Sequence, residues 1–289
     1  MLECFLKSRW SWRIDLHIHT DKSDGAQTPV QVVEKASQLN LAAISITDHD
    51  SAEALEDARI ASRVFSLQIV PGIELSAQVH DREVHILGYY IDDKNEKLLD
   101  HTHQMIEHRR ERALQIWQNL KQAGVDLAFE AIERKAVSGL IGRAHIAKAL
   151  IEANIVNNFY EAFSRFLGEG GSAYVPKELP TVRQAIDLIH LSGGVAFWAH
   201  PGVDPNESYL KSMLTAGLDG LEVMHPSNSY DTREMLQEWC KRYSLLSCGG
   251  SDFHQADPTR PGIGDLEVPY RWLIEIKQLL KIRQNAERA

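Results

Sequence analysis

The sequence predicts an α/β fold of repeated strand–helix units that is interrupted once by a helical insertion. Short apolar runs typical of buried strands alternate with amphipathic helical segments up to about Asn95. From there to about Ala173 only helical patterns follow one another, and then the alternation resumes. Repeated βα units form a parallel sheet or a barrel, in which the loops after the strands carry the functional residues.

The first half supplies four strands. The runs "RIDLHIHT", "LAAISIT" and "LQIVPGIELSA" predict the first three. The helix after the first strand is predicted to begin at Pro29 with Thr28 as its N-cap, and the helix after the second to begin after Ser51. We expect the third strand to turn at His80–Asp81 into "EVHILGYYI", as a β-hairpin.

The insertion begins with "EKLLDHTHQMIEHRRERALQIWQNLKQAG", which predicts one long charged helix ended by Gly124. Further helical segments follow it, and the strands "VAFWAHP", "LDGLEVMHP" and "LLSCGGSDFH" alternate with helices in the remainder. We therefore predict a discontinuous barrel domain, residues 12–95 and 174–289, and a helical insertion subdomain, residues 96–173.

Composition limits the possible functions. The formal net charge of −9 disfavours a duplex DNA partner, which would require a basic face. Three cysteines without CxxC spacing, at Cys4, Cys240 and Cys248, indicate neither a disulfide framework nor a thiolate zinc site. With no predicted membrane span and no apolar signal-peptide region, we expect a cytoplasmic protein without an obligate protein partner.

Histidines and carboxylates recur at the ends of the predicted strands. In a strand, residues i and i+2 share a face, so His17 and His19 point toward one side. Seven more such positions occur along the chain, at Asp24, His49, Glu74, His85, His200, Asp252 and His254. Each alone is more simply a core or loop residue, as we expect for Asp48, Asp50 and, by a narrow margin, His225. Together the nine residues indicate a metal site.

The motifs "DLHIHTDKSDG", "ITDHD", "PGIELS", "HILGY", "AHPG" and "GSDFH", in this order, resemble the polymerase-and-histidinol-phosphatase (PHP) superfamily. The resemblance implies a distorted (β/α)7 barrel with a trinuclear metal centre at the carboxyl ends of the strands. The first ion would be held by His17, His19, Glu74 and Asp252. Glu74 would bridge to the second ion, held also by His85 and His200. Asp24, where some members have His, would hold the third ion with His49 and His254.

Within the superfamily, "GRAHIAKAL", "GEGGSAYVP" and "AIDLIHLSGGVAFWAHPG" resemble the 3′,5′-nucleoside bisphosphate phosphatases, whose branch includes 5′→3′ exoribonucleases on short RNA. This resemblance implies removal of the 3′-phosphate from a nucleoside bisphosphate, and the partner is then a nucleotide or a short RNA end. Arg143 and His145 lie in the first turn of a predicted helix, where free N–H groups favour anions. We predict that this pair binds the second, non-reacting phosphate.

The expected chemistry is hydrolysis assisted by metal ions. Nitrogen and oxygen ligands without thiolate suit three ions of Mn²⁺, Fe²⁺ or Zn²⁺. Hydroxide formed on such ions would attack phosphorus. We expect Glu74, Asp252 and His254 to serve catalysis, with His254 or a water as the proton donor to the leaving oxygen.

Three alternatives remain open at this point. A phosphatase of histidinol phosphate or a similar monoester would have the same metal residues but no second phosphate to bind. An amidohydrolase-type barrel also begins with HxH, although such sites usually end in a single Asp. A non-enzymatic metal-bound PHP module is disfavoured because all nine ligand positions are filled.

Overall fold

The structure is a computed structural model that describes residues 13–136, 139 and 141–287. Within these residues the strands form one mixed sheet in the order β7–β6–β5–β4–β3–β2–β1–β8. Their bounds are β1 Arg13–Ile18, β2 Ala43–Ile46, β3 Gln68–Val79, β4 Arg82–Tyr89, β5 Val195–Trp198, β6 Gly220–Met224, β7 Leu246–Gly249 and β8 Val268–Pro269.

The two ends of the seven-stranded part meet and nearly close a barrel. The backbone N–H of Asp252, just after β7, donates to the carbonyl oxygen of His17 at 2.8 Å, and the N–H of His19 donates to Phe253 at 2.9 Å. Gly250 permits this contact, because a Cβ there would lie 2.3 Å from the His17 nitrogen. The predicted barrel is therefore confirmed.

The barrel is distorted because β4 runs antiparallel to both of its neighbours. The chain reverses between Val79 and Arg82, which confirms the predicted hairpin. In this hairpin His85 pairs with Ser76, so the beginning of β4 lies beside the end of β3. His85 is thereby placed at the same end of the barrel as the residues that follow the parallel strands.

The helices are α1 Pro29–Gln38, α2 Ala54–Phe65, α3 Glu96–Gln122, α4 Phe129–Glu133, α5 Arg143–Glu152, α6 Phe159–Ala162, α7 Val182–Leu191, α8 Glu207–Thr215, α9 Tyr230–Tyr243 and α10 Tyr270–Glu287. Thr28 caps α1 as predicted, since its side chain accepts a hydrogen bond from Gln31. The predicted start after Ser51 was wrong: α2 begins at Ala54, and the Ser51 hydroxyl instead accepts the N–H of Glu53 in the loop before it. None of the described helices combines the length and apolar character that a membrane crossing requires.

Two hydrophobic cores meet along the long helix α3. Leu98, near its beginning, packs into the core of the barrel. Ile116 and Leu120, near its end, belong to a separate cluster with residues of α4, α5 and α6. One continuous helix therefore connects the barrel to the inserted helices.

We propose that this separate cluster makes the predicted insertion, residues 96–173, a subdomain. Between the two cores, Arg109 of α3 reaches the barrel and pairs with the buried carboxylate of Asp50 at 2.5 Å. This ion pair fixes the insertion beside the strand ends. The outer limits of the predicted barrel domain, Trp12 and Ala289, lie outside the described residues, as does Cys4.

Candidate metal centre

All nine residues predicted as ligands lie at one end of the barrel. His17 and Glu74 lie within strands, and His85 lies near the start of the reversed strand β4. His200 and Asp252 follow strands β5 and β7, and both adopt left-handed backbone conformations, with φ of 35° and 50°. Non-glycine residues adopt that region uncommonly, and at both positions it occurs just after the strand.

Glu74 lies at the centre of the cluster and is fully buried. Five histidine ring nitrogens surround its two carboxylate oxygens at 3.0–3.2 Å, from His17, His19, His49, His85 and His200. Two ligands bound to one ion at about 2.1 Å, about 90–110° apart, lie about 3.0–3.4 Å from each other. The observed spacing therefore suits shared metal ions.

Asp252 and Asp24 complete the cluster. The Asp252 Oδ1 lies 3.5 Å from Nε2 of His17 and 3.3 Å from Nε2 of His19. The Asp24 Oδ1 lies 3.3 Å from Nε2 of His254, whose ring stacks on that of His19 at a centroid distance of 4.1 Å. The two carboxylates thus extend the cluster beyond Glu74.

The donor atoms fall into three overlapping groups, each compact enough for one ion. The groups are His17, His19 and Asp252; His49, Glu74 and His85; and His19, Asp24, His49 and His254. They resemble the three predicted sets, except that Glu74 is missing from the first group, His49 takes the place of His200 in the second, and His19 also joins the third. His200 lies beside the second group, with Nε2 3.1 Å from Glu74 and its ring centroid 5.1 Å from that of His85. Among the described residues Nδ1 of His19 is buried and has no hydrogen-bond partner, which suits a nitrogen that faces an ion.

Hydrogen bonds outside the cluster orient the ligands. The buried carboxylate of Glu222 accepts a hydrogen bond from Nδ1 of His17 at 2.9 Å and another from the backbone N–H of His200 at 2.7 Å. Nδ1 of His254 lies 3.0 Å from the carbonyl oxygen of Asp252, which can only accept. In the neutral, ion-binding form both His17 and His254 therefore carry the proton on Nδ1 and present Nε2 as a lone pair to the cluster.

His225 has the opposite tautomer. Its Nδ1 accepts the backbone N–H of Ser227 at 3.1 Å, so the proton lies on Nε2. That nitrogen donates to Oδ2 of Asp252 at 3.3 Å. His225 therefore orients a ligand carboxylate and offers no lone pair to an ion.

The charges of the cluster depend on one another. Burial lowers the pKa of His17, but the carboxylates of Glu222 and Glu74 outweigh burial and raise this pKa well above its usual range. Burial raises the pKa of Glu74, but His49 and His17 hold it well below its usual range. At His49 burial prevails and lowers the pKa to about 3. Carboxylates held ionised inside a protein need a positive counter-charge, which divalent ions would supply here.

A cavity joins the cluster to the inserted helices. Asp24, His49 and His85 line one part of it. Four basic side chains line the same cavity, those of Arg109, Arg112, Arg143 and Lys177. The Lys177 side chain is only 15% exposed and pairs with Glu83.

The two residues predicted to bind phosphate are placed differently. α5 begins at Arg143 as predicted, and the Arg143 guanidinium lines the cavity, where it donates to the carbonyl oxygen of Leu167 at 3.3 Å. His145 is 4% exposed, and its Nδ1 accepts the backbone N–H of Gly142 at 3.0 Å. Phosphate binding by His145 stays a prediction.

Two residues that contact the site, Glu222 and Arg112, were not predicted from the sequence. Glu222 follows the same pattern as Glu74, a carboxylate inside an apolar strand, and that pattern was the available signal. Arg112 lies one helical turn after Arg109, a spacing that places both side chains on one face of α3.

Comparisons with known proteins agree on one family. The sequence pattern of the PHP domain matches residues 15–187. The 5′-3′ exoribonuclease Rnm of Escherichia coli strain K12 is 35% identical over 251 residues, which cover 84% of this chain and 86% of that protein. The 3′,5′-nucleoside bisphosphate phosphatase of Chromobacterium violaceum is 31% identical over 261 residues, 88% of this chain and 90% of that protein.

A solved structure has the same fold. A chain from Bifidobacterium adolescentis, provisionally described as a metal-dependent phosphoesterase, superposes with a TM-score of 0.82 and 31% identity. The superposition covers 92% of this chain and 96% of that one.

Proposed function

Since the chain belongs to the PHP domain family and is a metal-dependent phosphoesterase, we propose that it removes the 3′-phosphate from nucleoside 3′,5′-bisphosphates. We propose further that it acts as a 5′→3′ exoribonuclease on short RNA with a 5′-phosphate. The observation that carries the proposal is a pair of arginines that share a cavity with the metal ligands and have no carboxylate partner among the described residues.

The four cations of the cavity are not equivalent. Arg109 and Lys177 are neutralised by Asp50 and Glu83. Because those two positive charges are already paired, they contribute less attraction for a ligand. The uncompensated charge must therefore come from the other two side chains.

Arg112 and Arg143 supply that charge. Arg112 donates to the carbonyl oxygen of Val175, and neither arginine has a carboxylate partner in the part of the chain that the structure describes. Burial and the nearby Arg143 lower the pKa of Arg112 to about 10, so it remains charged at neutral pH. Two close guanidinium groups without a counter-ion suit a phosphate, which each can bind with two parallel hydrogen bonds.

A substrate with two phosphates would match the two kinds of residue that line the cavity. One phosphate would lie at Asp24, His49 and His85, and the other at the arginines. The Phe163 ring also lines the cavity, and the Arg143 guanidinium lies 5.6 Å from its centroid. A monoester such as histidinol phosphate would leave the arginines without an anion.

We propose that the nine predicted ligands hold three divalent ions, of Mn²⁺, Fe²⁺ or Zn²⁺. When bound, such ions lower the pKa of a water molecule and neutralise charge on the phosphate oxygens. Glu74 and Asp252 would hold them through carboxylates that stay ionised. The His254 tautomer favours a ligand role for Nε2, so a water molecule is the better proton donor to the leaving oxygen.

The same arrangement serves RNA. In a 3′,5′-bisphosphate, water adds to the 3′-phosphorus, and the 3′-oxygen leaves and takes up a proton. In an RNA with a 5′-phosphate, the first nucleotide presents the same 3′-oxygen and the same phosphorus. The phosphorus then carries the next nucleotide in place of one free oxygen.

Phosphate release from adenosine 3′,5′-bisphosphate, adenosine 3′-monophosphate and histidinol phosphate by the Mn²⁺-loaded protein tests the proposal. The first two substrates differ only in the 5′-phosphate. One charge-assisted contact is worth about 1.5–3 kcal/mol, so we expect kcat/KM to favour the bisphosphate by about tenfold or more. Faster hydrolysis of histidinol phosphate would keep the metal centre but discard the nucleotide substrate.

The variant Arg143→Ala tests whether the preference for the bisphosphate comes from the cavity. It should raise KM for the bisphosphate strongly and KM for the 3′-monophosphate little. Arg165→Ala is the matched control, because Arg165 belongs to the same inserted helices but pairs with Glu161 at the surface. An equal effect of Arg143→Ala on both substrates would contradict the role of Arg143.

A further inference from the structure

A second cleft reaches the same metal ligands from another direction. Asp24, Asp252 and His254 line it, together with Lys148 and Arg260. Because Asp24 also lines the first cavity, the two spaces share a ligand at the metal centre.

Helix α5 faces both spaces. Ala144 lines both of them, whereas Arg143 lines only the first and Lys148 only the second. The helix thus carries one cation toward each space, and the two cations lie little more than one turn apart. A substrate whose phosphorus lies near the shared ligand Asp24 could extend into either space, and basic side chains line both.

The cations of the second cleft are available to an anion. Lys148 is partly buried, and its side chain has neither a hydrogen bond nor an ion pair among the described residues. The Arg260 side chain is 48% exposed, and Nη2 lies 3.3 Å from Oδ2 of Asp252, which leaves most of its five N–H groups for other partners. The remaining carboxylate of the cleft, that of Asp257, accepts hydrogen bonds from Thr259.

Among the described residues Lys148 has no carboxylate partner, in a chain whose net charge is −9. An anion bound in the cleft would supply that partner. The chemistry of the proposed reaction indicates which anion this is.

The exonuclease reaction produces a strand that the bisphosphate reaction lacks. Water adds to phosphorus, the bond from phosphorus to the 3′-oxygen of the first nucleotide breaks, and that oxygen takes up a proton. The phosphate stays on the 5′-oxygen of the next nucleotide. The remaining strand therefore begins at the reacting phosphorus, and while the first nucleotide occupies the first cavity it must leave by another path.

We propose that the second cleft is the subsite for this remaining RNA strand and that Lys148 and Arg260 bind its first phosphates. This inference rests on the proposed function and adds a subsite that only one of its two substrates, the RNA, would occupy. A bisphosphate ends at the reacting phosphorus and does not enter the second cleft. Phosphate contacts of this kind hold a strand regardless of its sequence.

Lys148→Ala is the decisive variant, because Arg260 also contacts the ligand Asp252. Steady-state kinetics of the Mn²⁺-loaded protein are compared for adenosine 3′,5′-bisphosphate and for a trinucleotide RNA with a 5′-phosphate. We expect KM for the RNA to rise about tenfold, as for one lost charge-assisted contact, with kcat nearly unchanged. The kinetic constants for the bisphosphate should stay within about twofold.

Two further variants control the comparison. Lys148→Arg keeps the charge and should restore most of the affinity for RNA. Lys211→Ala removes an exposed lysine on α8 that pairs with Glu207 and should change neither substrate. An equal loss for both substrates, or no loss for RNA, would overturn the inference.

A binding measurement gives a readout that does not depend on turnover. Fluorescence anisotropy follows an uncleavable 5′-phosphorylated RNA bound to the metal-loaded protein as the salt concentration is varied. Each phosphate neutralised on a single strand contributes about 0.7 to the slope of log K against log salt, and Lys148→Ala should remove about that amount. An unchanged slope would refute the strand subsite.

The proposed function and the strand subsite can be refuted separately. If the wild-type protein hydrolyses neither substrate, the proposed function fails, and the anisotropy measurement still decides whether the cleft binds RNA. If it hydrolyses both substrates and Lys148→Ala leaves RNA hydrolysis and RNA binding unchanged, the strand subsite fails alone.

Discussion

Replacing Glu222 by glutamine should weaken metal binding although Glu222 belongs to none of the three donor groups. Its carboxylate accepts hydrogen bonds from Nδ1 of His17 and from the backbone N–H of His200. It thereby holds the Nε2 lone pair of His17 toward the cluster. A glutamine side chain at this position would have nearly the same shape but one acceptor oxygen instead of two.

The magnitude follows from these two contacts. The amide oxygen can accept from His17 or from His200, and the other donor then faces an NH₂ group. A buried donor left unsatisfied costs about 1–3 kcal/mol of folding stability. Loss of the partner that orients a metal-binding histidine typically costs about 10–100-fold in metal affinity, or about 1.4–2.7 kcal/mol.

The assay is a competition between the protein and a chromogenic chelator for Mn²⁺, with the melting temperature measured on the same samples. Asp219→Asn is the matched control, since Asp219 is another buried carboxylate that pairs with His190 and Arg283. The control should lower the melting temperature and leave metal affinity unchanged. Metal affinity of Glu222→Gln within twofold of wild type would refute the orienting role.

Three other predictions concern stability. Removal of bound metal by a chelator should lower the melting temperature, because it leaves the buried carboxylates without counter-charge, and an unchanged melting curve would argue against bound ions. Gly250→Ala should destabilise the fold by about 1–3 kcal/mol, since a Cβ would lie 2.3 Å from the His17 nitrogen, and denaturant unfolding measures this loss. Burial raises the pKa of Asp219, but hydrogen bonds from His190 and Arg283 outweigh it and lower this pKa. The stabilisation by Asp219 is therefore present above its unfolded pKa of about 3.9 and is lost as the pH falls through the folded value, so the melting temperatures of wild type and Asp219→Asn should converge at acidic pH and stay apart at neutral pH.

The sequence could predict the residues of the metal cluster because each follows a local rule. Apolar runs locate the strands, and a histidine or carboxylate at the end of such a run faces the others once the strands align. His17, Glu74 and Asp252 were identified in this way, and the structure brings them together. The hairpin at His80–Asp81 was predictable for the same local reason.

The contacts that orient the cluster depend on pairings far apart in the sequence. Glu222 meets His17 across 205 positions, and Arg109 meets Asp50 across 59. No periodicity within either segment specifies such a partner. The start of α2 was misplaced because Ser51, a residue type that often caps helices, forms its hydrogen bond inside the loop.

The positive charge of the substrate cavity could not be predicted from the sequence either. Arg112 lies in a helix rich in both charge signs, a pattern that favours ion pairs with carboxylates three or four positions away. Only the fold shows that its guanidinium faces the cavity and donates to Val175. Lys177 likewise pairs with a residue far away in the sequence, Glu83 of the hairpin on the barrel.

The most direct test of the account is a titration of the metal-free protein with Mn²⁺, in which phosphate release from adenosine 3′,5′-bisphosphate is measured against the ions bound per chain. We expect no release without metal and a rise that is complete only when more than one ion is bound. Release that is independent of metal, or no release from a fully loaded protein, would contradict the claim that this cluster is the catalytic centre.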